Sequence, residues 1–262
     1  MNHGFVKLVD SMPRENLDSS IVQAARVSYS GGTSVTRSDK GLIRYLMRHW
    51  HNTPFEMVEF KFHIKMPIFL ARQHMRHRTA SVNELSARYS EIPEDFFTPE
   101  QFRLQSKVNK QSSEGVSVCE TESTKEYCHQ GFEMYTKLLE QGCCRELARC
   151  HLPQSTYTEF FWKINLHNLM HYLRLRMEPG AQLEIQEYAK EIYKIVQPLC
   201  PLTMEAFMDF RVNSLTLSGP ELAAMKNGTK LESPTEQREF EQKLNQLVMN
   251  RECAQSKYDI NK

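Results

Sequence analysis

Val58-Glu59-Phe60-Lys61-Phe62-His63-Ile64-Lys65-Met66 alternates without a break between apolar and polar side chains. Val58, Phe60, Phe62, Ile64 and Met66 would line one face, and Glu59, Lys61, His63 and Lys65 the other. This period of two, rich in aromatic and branched residues, marks a half-buried strand. Pro67 ends the run and suits the first position of a helix, where its missing N–H has no partner to lose. The helix would turn Ile68, Phe69 and Leu70 toward a core and deliver Gln73, Arg76 and His77 near its end. There begins Arg76-His77-Arg78-Thr79-Ala80-Ser81-Val82-Asn83-Glu84-Leu85-Ser86-Ala87-Arg88-Tyr89-Ser90. From Arg72 to Glu91 the chain carries four arginines, two glutamates and no lysine. Solvated faces usually mix arginine with lysine and glutamate. Guanidinium forks without lysine suit planar oxyanions such as phosphate and the edges of heterocycles. Strand, short helix and arginine-rich loop read together as a ligand site on a rigid scaffold.

With 262 residues the chain can bury a substantial core, as one large domain or two small ones. Its formal net charge is +1, so no global polycation argues for nucleic acid, and the basic character is local. Met1-Asn2-His3-Gly4 opens no secretory leader, and no apolar run is long enough to span a bilayer. The seven cysteines (Cys119, Cys128, Cys143, Cys144, Cys150, Cys200, Cys253) show no CxxC spacing. Together these features point to a reduced, cytoplasmic setting. The adjacent Cys143-Cys144 reads as ordinary filling of a helix.

Phe5 to Val9 reads as a strand, and Ser19 to Tyr29 and Asp39 to His49 as helices. Asn52-Thr53-Pro54 breaks the second helix before the alternating strand. Glu100 to Glu126 is polar and weakly periodic, a surface insertion. A helix resumes from Tyr127 to Gln141 with Gly142 at its end, and Arg145 to Cys150 starts a short one before Pro153. Thr158 to Met177 reads as one long helix with Phe161, Ile164, Leu169, Leu173 and Leu175 on its apolar side. Pro179-Gly180 interrupts it before a second long helix, Ala181 to Val196. Ser233-Pro234-Thr235-Glu236 has the form of a capping-box start, and Phe240, Leu244, Leu247 and Val248 fit one helical face. The class is α/β, with a small, mainly antiparallel sheet flanked by helices. No GxGxxG and no GxxxxGK[ST] occurs, so the dinucleotide-binding folds built on them are excluded.

Histidines fall in pairs: His49 and His51, His74 and His77, His167 and His171. The last spacing can bind zinc, yet no HExxH accompanies it and no cysteine is suitably spaced, so no metal site is expected. His167 and His171 share a helical face with Arg174, which favours ligand contact or polar packing. A cysteine–histidine nucleophile stays open at this level, since its partners need not be adjacent in sequence. Three functions compete: a flavoenzyme, a module that binds nucleotides or RNA without chemistry, and a metal-dependent phosphohydrolase.

Arg76-His77-Arg78, seven further residues and then Ser86 resemble the signature of flavin-dependent thymidylate synthases, and Asn83-Glu84-Leu85-Ser86-Ala87-Arg88 continues it. The likeness runs over roughly residues 5 to 210. It takes in Ala25-Arg26-Val27-Ser28, His51-Asn52-Thr53-Pro54-Phe55-Glu56 and Pro67 to Gln73. It continues through Ala148-Arg149, Leu152-Pro153, Phe160-Phe161-Trp162 with Asn165, Leu173 to Arg176, Ala181-Gln182 and Glu184-Ile185. The resemblance implies a synthase domain over residues 1–212 with a variable loop near 104–126, and a helical extension over 213–262. It implies reductive methylation of dUMP to dTMP, with methylenetetrahydrofolate giving the carbon and FAD, reduced by NADPH, giving the hydride. No enzyme cysteine acts as nucleophile in that scheme. Matching positions assign FAD to Thr53, Arg76, His77, Arg78, Glu84, Asn165, Leu166, His167 and His171. They assign dUMP to Gln73, His74, Met75, Arg76, Glu84, Leu85, Ser86, Ala87, Arg88, Arg149 and Arg176, with Arg176 activating the uracil ring. A homotetramer with sites shared between chains is implied as well, with no nucleic-acid or membrane partner. The chain departs from the family's usual form at His167, where arginine is common, and at Gly180 and Met57, where histidine is frequent.

Overall fold

Two alternating strands form the middle of a four-stranded sheet and position everything else. In chain order the elements are β1 (Phe5–Met12), α1 (Leu17–Arg26), α2 (Asp39–Arg48), α3 (Thr53–Glu56), β2 (Glu59–Pro67), α4 (Ile68–His74) and β3 (Ser81–Glu84). Next come β4 (Leu104–Gln105), β5 (Ser113–Glu114), α5 (Thr121–Glu140), α6 (Arg145–Ala148), β6 (Tyr157–Asn165), α7 (Leu166–Arg176) and α8 (Leu183–Val196). The chain closes with α9 (Pro201–Phe207), α10 (Gly219–Asn227) and α11 (Pro234–Met249). This computed structural model describes residues 1–28, 38–107 and 112–249. Met1–Met204 forms one compact unit and Glu205–Lys262 a second, whereas the sequence reading places the division after residue 212.

The sheet order is β1-β2-β6-β3 and every pairing is antiparallel. In β2 the alternation holds as read: Phe60, Phe62, Ile64 and Met66 are buried, while Lys61 faces solvent. Pro67 stays extended (ψ 145°) as the last residue of β2 and the N-cap of α4, so the helix starts one residue later than expected. Register sets Phe62 beside Trp162 and Ile64 beside Phe160, so the two middle strands share one apolar layer. Burying side chains of this size contributes about 1.5–3 kcal/mol each. Helix α4 packs on β2 and β6, α7 on β6 and α8, and α8 on β1. A Cβ at Gly4 would fall on the Tyr188 hydroxyl, which donates to the Lys65 carbonyl at 2.9 Å, so glycine lets α8 approach the sheet closely.

The long helix read over Thr158 to Met177 is a strand followed by a helix. Tyr157–Asn165 alternates as β2 does: Thr158, Phe160, Trp162 and Ile164 are buried, and Phe161 and Lys163 are exposed. Aromatic and branched side chains fit a pleated, half-buried surface, and here that preference overrides the helical spacing of Phe161 and Ile164. Asn165 then caps α7, its side-chain oxygen accepting from the Asn168 N–H at 2.9 Å.

Smaller differences follow the same logic. Strand β1 extends to Met12, beyond Val9, through an irregular register between Leu8 and Asp10. Helix α1 ends at Arg26, and Tyr29 lies outside the described residues. The insertion read over Glu100 to Glu126 holds the β4–β5 ribbon and the first turn of α5, which begins at Thr121. Residues 108–111 of that segment lie outside the description. Gly142 follows α5 with φ +83°, the left-handed conformation a helix end asks of glycine. In the second unit α10 was not foreseen, although Ser218 and Glu221 form a complete capping box at its start. At α11 the Glu236 N–H donates to Ser233 Oγ at 3.4 Å. Among the described residues no helix is long and apolar enough to cross a membrane.

Candidate active site

The end of α4 and the end of α7 meet through Arg176. Its Nε donates to His77 Nε2 at 3.0 Å, and its Nη2 reaches the Gln73 carbonyl at 3.5 Å. A guanidinium only donates, so His77 Nε2 is the acceptor and its proton sits on Nδ1. Burial first, then the charges of Arg176 and His171, pull the His77 pKa down to about 4, so the ring is neutral at pH 7. Burial also lowers Arg176 from its usual value. Basic residues favour helix C-termini, but this one bridges to a second helix. Beside it, Gln73 Oε1 is buried with no hydrogen-bond partner.

Behind this pair lies an aromatic support. His74 is wholly buried, its Nδ1 3.0 Å from the Tyr172 hydroxyl, and its ring packs against Trp162 and Tyr172. Tyr172 in turn meets the His77 ring edge-on, with centroids 4.9 Å apart. His74, which the resemblance assigns to a nucleotide, has its side chain buried in this support, with Nε2 left without a partner among the described residues. Leu166 is likewise fully buried, and its N–H is taken by the Val58 carbonyl at 2.8 Å.

The arginine loop lies on the surface beyond this corner. Arg76 and Arg78 are exposed, and among the described residues neither guanidinium makes a hydrogen bond or ion pair within the chain. Met75 caps α4, and His171 is exposed, its ring 5.8 Å from that of His77. Strand β3 is an exposed edge, held by β6; Glu84 accepts from the Thr158 hydroxyl at 2.7 Å, and the Leu85 N–H donates to the Glu159 carbonyl at 2.8 Å. Thr53 opens α3, which packs on α7, the helix that begins after Asn165 and carries the half-buried His167.

A second cationic group lies after β3. The Ser86 hydroxyl accepts from the Arg88 N–H at 3.3 Å, and the turn continues past Ala87 with Tyr89 and Ser90 donating to the Ser86 carbonyl at 3.1 Å. The Arg88 guanidinium stands 3.4 Å from the Glu146 carboxylate, and Arg149 Nε donates to the Glu146 carbonyl at 3.3 Å. A cavity of about 410 Å³ opens here, lined by Arg88, Tyr89, Cys143, Cys144, Arg145 and Glu146 among others. Cys143 and Cys144 are exposed in the turn between α5 and α6, not filling a helix as the sequence reading has them. Within the chain each group bonds internally: Arg176 with His77 and Gln73, Arg88 and Arg149 with Glu146.

Sequence reasoning missed Tyr172 and Glu146. The signal for Tyr172 is its place one turn before Arg176 on α7, and for Glu146 its place three residues before Arg149. Among the described residues no group of three His, Cys, Asp or Glu side chains is placed to hold a metal ion.

Comparison with known proteins adds to this geometry. Residues 7–202 match the model of the family described as thymidylate synthase complementing protein. The flavin-dependent thymidylate synthase of Dictyostelium discoideum is 48% identical over 264 aligned positions, covering 95% of this chain and 86% of that one. An enzyme of that name from Thermus thermophilus is 51% identical over 228, covering 86% and 83%. The crystal structure of a UMP/dUMP methylase, PolB from Streptomyces cacaoi, bound with 5-Br UMP, is similar with a TM-score of 0.70 and 38% identity. It covers 79% of this chain and 95% of PolB; the complex with 5-Br dUMP gives 0.71 and 36%. A match of this extent, over an antiparallel sheet that carries the arginine signature at its edge, establishes that the chain belongs to the flavin-dependent thymidylate synthase family.

Proposed function

We propose that this protein methylates dUMP to dTMP in the cytoplasm, with methylenetetrahydrofolate as carbon donor and NADPH as reductant. The observation that carries the reading is that exposed Arg76 and Arg78, unpaired among the described residues, flank in sequence the neutral His77 that holds the half-buried Arg176. FAD, when bound, supplies the hydride for the transferred carbon. The donor set fits that cofactor: a pyrophosphate needs several N–H donors, and the guanidiniums of Arg76 and Arg78, next to His77 in sequence, have no partner among the described residues. Asn165 gives its oxygen to α7 and keeps its amide N–H groups for the cofactor. Thr53 and His167 extend this side, and Glu84 is held in place by Thr158.

The nucleotide falls to Gln73, Ser86, Arg88, Arg149 and Arg176. The orphaned Gln73 Oε1 suits the N3–H of uracil, a donor that would satisfy a buried acceptor. Arg176 presents its fork to the pyrimidine, where negative charge spreads onto a carbonyl as C5 reacts, and stabilises that charge as an oxyanion hole does. His77, accepting from Nε, fixes the plane of the fork. In this scheme the flavin supplies the hydride and no cysteine serves as nucleophile toward dUMP; among the described cysteines Cys128 and Cys200 are buried, and burial pushes the Cys200 thiol well above its usual pKa.

We further place the site at a junction of a homotetramer. Arg88 and Arg149 bond to Glu146 while Arg176 bonds to His77, so one chain supplies two separate donor groups, and a partner can complete each. Co-refolding Arg149→Ala with Arg176→Ala, each inactive alone, should then restore part of the activity. The deciding experiment for the reaction is anaerobic. NADPH should bleach the bound flavin, and adding dUMP with methylenetetrahydrofolate should restore its colour with formation of dTMP. Reoxidation without dTMP, or a protein that retains no flavin, would overturn the assignment.

A further inference from the structure

The cavity beside Arg88 carries two thiols that the methylation chemistry does not use. Gly142, with φ +83°, reverses the chain after α5, and the Cys143 N–H is held by the Leu138 carbonyl at 2.9 Å. This turn sets exposed Cys143 and Cys144 on the wall of the 410 Å³ cavity, facing the same space as Arg88 and Arg145. Both guanidiniums are held loosely. Arg88 pairs with Glu146 at 3.4 Å, their side chains 56% and 54% exposed, and Arg145 pairs with Glu91 at 3.0 Å, 44% and 64% exposed. Exposed pairs of this kind contribute little, so an arriving anion can exchange for either glutamate. Thiols beside exchangeable guanidiniums form a place where a small anionic disulfide is both gathered and reacted.

We propose that this cavity is a thiol-modification site for anionic, low-molecular-weight disulfides of the glutathione class, and that the mixed disulfide closes it to the nucleotide. The second half rests on the reading that Arg88 holds the nucleotide's phosphate. In the exchange, the Cys143 or Cys144 thiol releases its proton to solvent and its sulfur attacks one sulfur of the disulfide. The protein–glutathionyl S–S bond forms as the original S–S bond breaks, and the other glutathione leaves as a thiolate that takes up a proton. The disulfide is the oxidant, and the protein thiol is oxidised. The carboxylates of the bound half then meet Arg88 and Arg145 and occupy the space a phosphate would need.

The test treats the flavin-loaded protein with glutathione disulfide and follows adducts at each cysteine by peptide mass spectrometry. Cys119, exposed but outside the cavity, is the internal reference. Cys143 or Cys144 should react at least about tenfold faster than Cys119. The preference should shrink in Arg145→Gln and with the uncharged bis(2-hydroxyethyl) disulfide. Saturating dUMP should protect these thiols. The modified protein should lose dUMP binding in calorimetry and regain it with dithiothreitol, whereas Cys143→Ser/Cys144→Ser should bind dUMP before and after treatment. Equal rates at Cys119, or no difference between charged and uncharged disulfides, would overturn the site. Tight dUMP binding without protection would overturn the closure and leave the methylation reading standing. If untreated protein binds no dUMP, the nucleotide reading fails and the closure with it, while the labelling pattern still decides the thiol site.

Discussion

Replacing His74 by phenylalanine should flatten the acid limb of the protein's stability. In the folded protein burial, followed by the charges of His77 and Arg176, lowers the His74 pKa from 6.5 to about 3. As pH falls, the unfolded chain takes up a proton that the folded chain refuses, so stability falls with pH. The contribution of the neutral ring is whole above about pH 6.5 and is lost progressively toward pH 3. At pH 5 the unfolded ring is almost entirely charged and the folded ring almost entirely neutral, a difference of about 2 kcal/mol relative to pH 7. That figure depends on the unfolded pKa and the pH, and hardly on the folded value once it lies well below 5. His77, lowered to about 4, titrates in wild type and variant alike and so cancels from the comparison. Urea midpoints at pH 7, 6 and 5, at fixed protein concentration, supply the comparison. Wild type should lose about 2 kcal/mol more than His74→Phe between pH 7 and pH 5. The variant also strands the Tyr172 hydroxyl, an offset of about 1–3 kcal/mol. The offset does not vary across this range, since burial holds the Tyr172 pKa far above it. Parallel stability curves for the two proteins would refute a buried, neutral His74.

Three substitutions probe the rest of the site. Arg78→Ala should fold yet bind FAD more weakly by about 1.5–3 kcal/mol, roughly ten- to a hundredfold, as a charge-assisted bond is lost; unchanged affinity by flavin fluorescence titration would remove Arg78 from the cofactor. Arg176→Lys keeps the charge but loses the fork that spans His77 and Gln73, so dTMP formation should collapse while NADPH still bleaches the flavin. Near-wild-type methylation would end its assigned role. Glu146→Gln releases the Arg88 guanidinium from a half-exposed pair, and dUMP should bind up to about fivefold more tightly in low salt. Weaker binding by calorimetry would place the phosphate elsewhere.

The legible parts of this molecule are those whose partners lie close in sequence. Strand β2 declares itself because one face is apolar and the other charged, and the arginine loop because its cations crowd a short span. Strand β6 was hidden by Phe161, an exposed aromatic between buried ones, which turns a period of two into an apolar run that also fits a helix. Glu146 and Tyr172 were hidden because their significance arises only on folding. His77 and Arg176 are 99 residues apart, and only the structure shows that a cluster of edge-on aromatic rings stands behind the bond between them. His74 lies within the signature, and only the structure shows that its register on α4 turns its side chain inward.

The misread segment is also the one on which the site depends. Strand β3 pairs with β6, and Glu84 is held by Thr158 of that strand, so without a strand at 157–165 the arginine loop would have no ladder to hang from. The change from strand to helix at Asn165 has a further consequence. Asn165 closes the ladder opposite Glu59 and, with the same residue, caps α7. The helix therefore starts at a position set by the sheet. Three turns later that start point determines where Arg176 emerges, against the end of α4, a helix whose first residue, Ile68, donates its N–H to the carbonyl of Thr156, just before β6, at 2.9 Å. Both sides of the Arg176–His77 bond are thus indexed to the same two strands. For the role proposed for Arg176 this matters, since a donor that must reorganise as charge develops forfeits most of its advantage.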